Sequence, residues 1–482
     1  MSWITFKMWV PLKLFVAIWL LAQGACDAWG YEDNEISSCS LSNDLIKEIE
    51  DYAPIVHNII NMTVNGTYKR STWQELSTFV DKFGARPSGS QVLEDSIQYM
   101  LNRSLNVNLE NVHGENATVP HWVRGSESAT LLEPRKKDIA LLGLGYSVGT
   151  DADGITADVI VVQSFAELKT RAKEVSGKIV VYNQKFVSYG ETVKYRSKGA
   201  TEAAKHGAVA ALIRSVTPFS LYTPHTGMMS YGENITKIPA ACITVEDATL
   251  LNRMADRGER IRLNLKMEAQ SYPDKISRNV IAEIVGVEKP NKTVVISGHI
   301  DSWDVGQGAM DDGGGAFISW NSLAILKSLN LRPKRTIRAI LWTAEEMGIV
   351  GARQYIQEHR AEQSNLQFVM ESDMGTFEPV GLDVTAPVEV MCILKKVMSL
   401  LTPLGDMKLR SPAEGPDIED WINAGVPGAS LWNKNSKYFW YHHTNADTML
   451  VENPDALDMN TALFAAVSYV VADLSYDFPH LK

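Results

Sequence analysis

From Asn279 onward, short apolar runs alternate with longer segments of helical periodicity. NVIAEIVG, KTVVISGH, RTIRAILWTA and NLQFVMES read as strands, with AFISWNSLAILKSLN and GIVGARQYIQEHR as helices between them. Such alternation predicts an α/β domain with a mostly parallel central sheet flanked by helices. Upstream, the segment 36–64 reads as a helix with Leu45, Ile46, Ile49 and Tyr52 at helical spacing, followed by helix, a GARPSG turn and helix. Residues 107–150 read as strands with turns. Around residue 151 the texture changes. ADVIVVQSF and GKIVVYNQ are short β-rich runs, TEAAKHGAVAALIRSV is a helix leading into a strand, and residues 238–268 give strand, helix and strand. These patterns predict a β-rich insert over 151–274, closing near SYPDKISRN. Residues 25–150 form an N-terminal region with the first part of the main domain, which resumes over 275–482.

The first residues change the picture. Lys7 and Lys13 precede or flank the apolar run LFVAIWLLA, and the small residues of QGACDA follow. This is the pattern of a secretory signal peptide over 1–24; the run is short for a membrane span of ~20 residues. Six N-x-S/T sequons, at Asn61, Asn65, Asn102, Asn116, Asn234 and Asn291, agree with secretion. Cys26, Cys39, Cys242 and Cys392 contain no C-x-x-C, which argues against cysteine-held zinc and leaves disulfide pairing open. At 482 residues the chain is long enough for two or three domains, and its formal charge of −11 without a basic run argues against nucleic-acid binding. No membrane association is expected once the signal is removed.

The candidate chemistry lies where the strands end. In sheets of this kind ligands gather beyond the carboxyl ends of the strands. His299 and Asp301 close one strand, Glu345 and Glu346 another, and Asp373 a third. Asp311 and Asp312 stand at the start of the following helix among glycines that let the backbone turn sharply. HHTNADT, near the end, offers His442 and His443. Two neighbouring cations need a carboxylate that bridges them and separate ligands on each outer side. Asp311 is assigned as the bridge, His299 and Asp373 as ligands of one ion, and Glu346 and His443 as ligands of the other. The mixture of imidazole and carboxylate favours zinc. Glu345 is the expected general base, and Asp301 is placed to orient a ligand imidazole. Each pair alone has a bland reading: a helix cap for Asp311 and Asp312, a solvated helix start for Glu345 and Glu346, a surface position for His442. Their joint placement at successive strand ends is what points to a metal site.

Together these residues resemble the zinc-dependent co-catalytic exopeptidases that include bacterial leucyl aminopeptidases and the glutamate carboxypeptidases. GHIDSW, GAMDDGGG, TAEEMGIVGA, ESDMG and HHTNADT occur in that family's order. The resemblance implies His299, Asp311, Glu346, Asp373 and His443 as zinc ligands, two Zn²⁺ per chain, and Glu345 as the base. It further implies a cis peptide between Asp311 and Asp312, and a protease-associated domain over the insert. A homodimer, passage through the secretory pathway or lysosome, and dipeptide or short-peptide substrates with free termini are also implied. One departure matters: members with a substrate-clamping tyrosine place it directly before the last histidine, where this chain has His442 after Tyr441. Arg410, Tyr438 and Tyr441 remain candidate substrate contacts. The competing readings are a broader aminopeptidase and a catalytically inactive binding protein on the same fold; the intact set of candidate ligands argues against the latter.

Overall fold

Apolar runs without alternation, such as TVVIS, are what strands covered on both faces require. The computed structural model describes residues 39–482, and it shows both faces covered. Val294 and Ile296 point into one core with Phe317, Leu341 and Phe464, while Val295, between them, points into another with Trp342, Tyr355 and Trp421. The first core is closed by two helices buried nearly all round. Every residue of Gly314–Leu326 in the helix Gly314–Ser328 is buried, and the helix Pro454–Asp473 is capped by Asn453, whose side chain accepts from the Asp455 and Ala456 N–H groups.

The main sheet contains β1 (Glu110–Val123), β2 (Gln270–Ile284), β3 (Lys289–His299), β4 (Arg335–Trp342), β5 (Leu366–Glu371), β6 (Pro379–Thr385), β7 (Lys408–Arg410) and β8 (Gly428–Asn433). Its order is β1-β2-β4-β3-β5-β8-β6-β7. Four adjacent central strands, β4, β3, β5 and β8, run parallel, but β1–β2, β2–β4 and β6–β8 pair antiparallel. With β6–β7 also parallel, four of the seven pairings among the described residues are parallel and three, all outside the central four strands' own contacts, are antiparallel, so the sheet is mixed with a parallel centre.

A second sheet is interposed between β1 and β2. Its strands, in spatial order, are Lys137–Ile139, Glu127–Glu133, Arg262–Met267, Ile155–Val162, Ile179–Tyr182, Ala210–Arg214, Ala240–Ile243 and Leu141–Gly143. Three of these precede residue 151, so the sheet begins at Glu127. The stretch SYPDKISRN, expected to close the insert, is the first half of β2, paired with β1 across Tyr272↔His121 and Lys275↔Val119. Its exposed side chains and Pro273 disguise it as a linker. Pro273 is tolerated because it sits at a register shift, where no regular ladder bond is lost. The expected single N-terminal helix is two, Asn43–Asp51 and Ala53–Val64, divided where Pro54 withholds an N–H from the preceding turn.

Residues 41–482 make one compact unit. The signal-peptide reading and Cys26 lie outside the described residues. Cys39 and Cys392 are each disulfide-bonded, and Cys242 is a buried free thiol. All six sequon asparagines are exposed. Among the described residues no helix is long and apolar enough to cross a membrane.

Candidate metal centre

Three neighbouring parallel strands deliver their chemistry to one edge. His299 ends β3; Glu345 and Glu346 lie just beyond β4; Asp373 lies just beyond β5. The Asp311–Asp312 peptide is cis. Here the backbone turns into the helix Gly314–Ser328 so closely that a Cβ on Gly315 would run into the Ser372 carbonyl and the Asp312 carboxylate.

Asp311 occupies the middle. Its Oδ1 is 3.5 Å from His299 Nε2, and its Oδ2 is 3.3 Å from His443 Nε2. On the His299 side, Asp373 Oδ1 approaches Nε2 to 3.3 Å and Glu345 Oε2 to 3.9 Å. On the other side Glu346 Oε2 lies 3.0 Å from His443 Nε2. The two glutamates of one turn thus face different histidines. Ala344 at φ 56° and the Glu345 carbonyl, which accepts from Gly348 and Ile349 N–H at 2.7 Å each, set that turn. His299, Asp311 and Asp373 offer ligand atoms within 4.8 Å of one another, as do Asp311, His442 and His443.

Asp301 plays a wider part than orienting an imidazole. Its backbone carbonyl, 3.1 Å from His299 Nδ1, is the closer partner of the ring; its Oδ1 lies at 3.6 Å. The carboxylate itself accepts from the Glu345 N–H at 2.9 Å and the Glu346 N–H at 3.3 Å, and so fixes the glutamate turn. Asp312 turns away from the centre, accepting from the His299 and Gly315 N–H groups at 3.0 and 3.1 Å.

His442, expected at the surface, is buried. It stacks on His443 with ring centroids 3.5 Å apart and brings its Nε2 to 3.7 Å from Asp311 Oδ2. Among the candidate substrate contacts, Arg410 is engaged by both oxygens of Asp383 at 2.6 and 2.7 Å. Tyr438 is buried, its hydroxyl donating to the Asp373 carbonyl at 3.4 Å. Tyr441 is half-buried, and its carbonyl accepts from Thr444.

Two supporting residues escaped the sequence reading. Asp447 accepts from the N–H groups of Ala309, Met310 and Asp311 at 3.1, 2.8 and 3.1 Å, holding the segment that presents the central carboxylate. It lies in the same HHTNADT motif, which was the available signal. Arg86, wholly buried, donates to the carbonyls of Ile300, Gly84, Gln307 and Gly308 at 2.7–2.9 Å. Its place in FGARPSGS gave no sign of this role.

The electrostatics call for positive charge. Burial, followed by repulsion from Asp373 and Glu346, pushes Glu345 well above the usual carboxylate range. Burial raises Glu346 to about 7 and raises Asp373 as well. Burial alone would lower His299, but the surrounding carboxylates of Asp373, Asp301 and Asp311 hold it well above its ordinary value. For Asp311, the charges of His442, His299 and His443 overcome burial and draw the carboxyl well down. His299 Nε2, Asp311 Oδ2 and Glu346 Oε1 are buried without a hydrogen-bond partner among the described residues. Such orphaned donors and acceptors are costly unless something binds them. Converging imidazole nitrogens and carboxylate oxygens fit divalent transition metal.

Residues 279–468 match the model of peptidase family M28, which spans β3 to β8 and every candidate ligand. The chain belongs to that family and is a metal-dependent exopeptidase. Within the family its similarity runs to carboxypeptidase Q. That of Xenopus laevis is 54% identical over 90% of this chain and 93% of its own, and that of Homo sapiens 53% identical over 90% and 92%. A peptidase M28 precursor from Shewanella amazonensis SB2B, 32% identical, superposes with a TM-score of 0.86 over 90% of this chain and 99% of its own.

Proposed function

We propose that the protein is a secreted exopeptidase with two Zn²⁺ per chain, hydrolysing dipeptides or short peptides with free termini. The observation that carries this is Asp311, whose two carboxylate oxygens face different imidazoles at 3.5 and 3.3 Å. His299 and Asp373 would hold one ion, Glu346 and His443 the other, with Asp311 between them. Zinc so held lowers the pKa of a bound water to roughly 7 and polarises a carbonyl. Glu345 supplies what the ligands do not. Its carboxylate, partly open at 16% exposure, stands beside the centre without belonging to either outer ligand pair. There it takes the proton of the attacking water and delivers it to the leaving amine, as a general base and then a general acid. Asp301 holds the Glu345 backbone so that this carboxylate keeps its place.

The exposed sequons and the disulfide-bonded Cys39 and Cys392 support a secretory route, with the signal peptide at 1–24. A protease-associated identity for the second sheet, assembly as a homodimer and delivery to the lysosome rest on the family resemblance and on the similarity to carboxypeptidase Q. Metal analysis combined with hydrolysis of an unblocked dipeptide, its terminally blocked forms and a longer peptide tests the reading. Two zinc ions per chain with cleavage of the unblocked dipeptide are expected. Sequential trimming of the longer peptide would instead favour a broader aminopeptidase, and absence of both metal and turnover an inactive binding protein.

A further inference from the structure

The segment Thr217–Thr226 leaves the second sheet after the strand Ala210–Arg214 and reaches the histidines of HHTNADT. It lies outside the residues that match the family. Three of its residues grip the other segment. The Thr226 carbonyl lies 3.2 Å from His443 Nδ1, and the Thr226 N–H donates to the His443 carbonyl at 3.0 Å. His225 Nδ1 lies 2.8 Å from the His442 carbonyl, and Thr217 Oγ1 donates to the Phe439 carbonyl at 2.6 Å. His443 has φ 61°, a left-handed conformation that a non-glycine residue keeps only when its surroundings hold it.

The gripping segment is itself fixed. Thr226 Oγ1 donates to the Gly143 carbonyl at 2.8 Å and accepts from Arg124 at 3.3 Å; the His225 N–H donates to Ser215 Oγ at 2.9 Å. Gly227, at φ 137°, leaves no room for a Cβ against the Arg196 guanidinium.

We propose that His225 and the Thr226 carbonyl are positioning groups of the metal centre, which aim His443 Nε2 at the second ion from the second sheet. The inference rests on His443 being a ligand, as proposed above. A carbonyl accepts only from a protonated nitrogen, so the Thr226 oxygen fixes the Nδ1–H tautomer of His443. The lone pair of Nε2 is then left facing Asp311 and Glu346. His225 works one step further back. Its Nδ1–H holds the carbonyl of His442 and with it the backbone entering His443. Burial pushes His225 down to about 3, so it stays neutral beside the histidine pair. The second sheet is thereby part of the metal site and not an appendage to it.

Zinc affinities of the full chain, measured by chelator competition, test this with His225→Phe and His225→Asn. The phenylalanine removes the donor; the asparagine keeps an N–H close to the position of Nδ1. Wild type should show two bound ions. His225→Phe should weaken one of them measurably, by no more than the ~10–100-fold usual for losing a direct outer partner of a ligand, because His225 acts one step behind that partner. The other ion should be untouched, the cobalt absorption spectrum of the weakened site should change, and His225→Asn should restore both. Unchanged affinities in His225→Phe, equal weakening of both ions, or failure of His225→Asn to rescue would overturn the proposal. A measurement on metal-free wild type does not depend on any variant folding. At a pH above the value of about 9 to which, against burial, the Glu346 and Asp311 carboxylates raise His443, histidine-selective ¹⁵N labelling should find His225 and His443 as Nδ1–H tautomers, and an Nε2–H tautomer of His443 overturns the proposal. If wild type binds no zinc, the functional reading fails, whereas the tautomer result still judges the positioning role.

Discussion

Both sheets contain four adjacent parallel strands, and in both the chain leaves those strands through polar residues at one edge. In the second sheet that edge is partly paired within itself, although Gln184 Oε1 and Arg214 Nε stay buried without a partner among the described residues. Arg214 donates to Asn183 Oδ1 at 3.2 Å, Gln184 donates to the Arg214 carbonyl at 2.7 Å, and Ser215 Oγ donates to the Ile243 carbonyl at 2.8 Å. In the main sheet the corresponding edge leaves His299 Nε2, Asp311 Oδ2 and Glu346 Oε1 without partners. The architecture supplies a place where side chains converge; whether that place suits a metal depends on which donors meet there, amide, guanidinium and hydroxyl at one edge and imidazole and carboxylate at the other. The second sheet then contributes by a different route, through main-chain contacts to His442 and His443.

The largest effect that would break this contrast is metal removal. Chelation should reduce peptide hydrolysis to background, and zinc should restore it; hydrolysis that persists without metal would place the chemistry elsewhere. Next, Glu345→Gln should keep its zinc but lose ~10²–10⁴-fold in kcat. Near-normal turnover would remove Glu345 as the base. Asp447→Ala orphans three buried N–H donors, at roughly 1–3 kcal/mol for each that finds no new acceptor. A lower melting temperature together with weaker zinc binding is expected, and a melting curve like wild type would show that the Ala309–Asp311 segment holds itself.

A buried carboxyl outside the ligand set sharpens the comparison. Glu452 accepts from Thr376 at 2.7 Å, and burial, with Asp447 nearby, pushes it up to about 8 from 4.5. The folded state therefore keeps this proton while the unfolded state gives it up. The contribution of Glu452 to stability should fall as pH rises from about 4.5 to about 8, by at most ~1.4 kcal/mol per pH unit, and level off above, on top of those of other raised carboxyls such as Glu371. Glu452→Gln should remove that share and make the measured slope shallower in chemical denaturation; an unchanged slope would refute it. The smallest effect belongs to the edge of the second sheet. Asn183→Ala should cost about 1 kcal/mol in denaturation, with kcat unchanged. A large loss of activity would mean that this edge is functional after all.

How much could be read beforehand depended on how each residue acts. His299, Glu345, Glu346 and Asp373 were legible because they directly follow apolar runs that can only be buried strands, and Asp311 because glycines surround it. Asp447, Arg86 and Thr226 were not. They work through hydrogen bonds that use main-chain atoms and join points far apart in sequence, and apart from the place of Asp447 in HHTNADT no residue-type pattern marks them. His442 was misplaced for a related reason: adjacent histidines carry no mark of which side the backbone buries. The first half of β2 was read as a linker because its exposed side chains and Pro273 resemble one, although its long antiparallel pairing with β1 overrides that local preference.

By itself the sequence determined four strands of the main sheet and their order, the residue types at their ends and the kind of cation such donors suit, since hydrophobic period and side-chain chemistry are local properties; Pro379–Thr385, Lys408–Arg410 and Gly428–Asn433 were not among them. Only the tertiary structure decided that the two oxygens of Asp311 face opposite imidazoles, that β1–β2, β2–β4 and β6–β8 pair antiparallel, and that the second sheet reaches across to hold His443. Those are distances between points far apart in the chain, and they are fixed by packing and by shared hydrogen bonds once the sheets have formed.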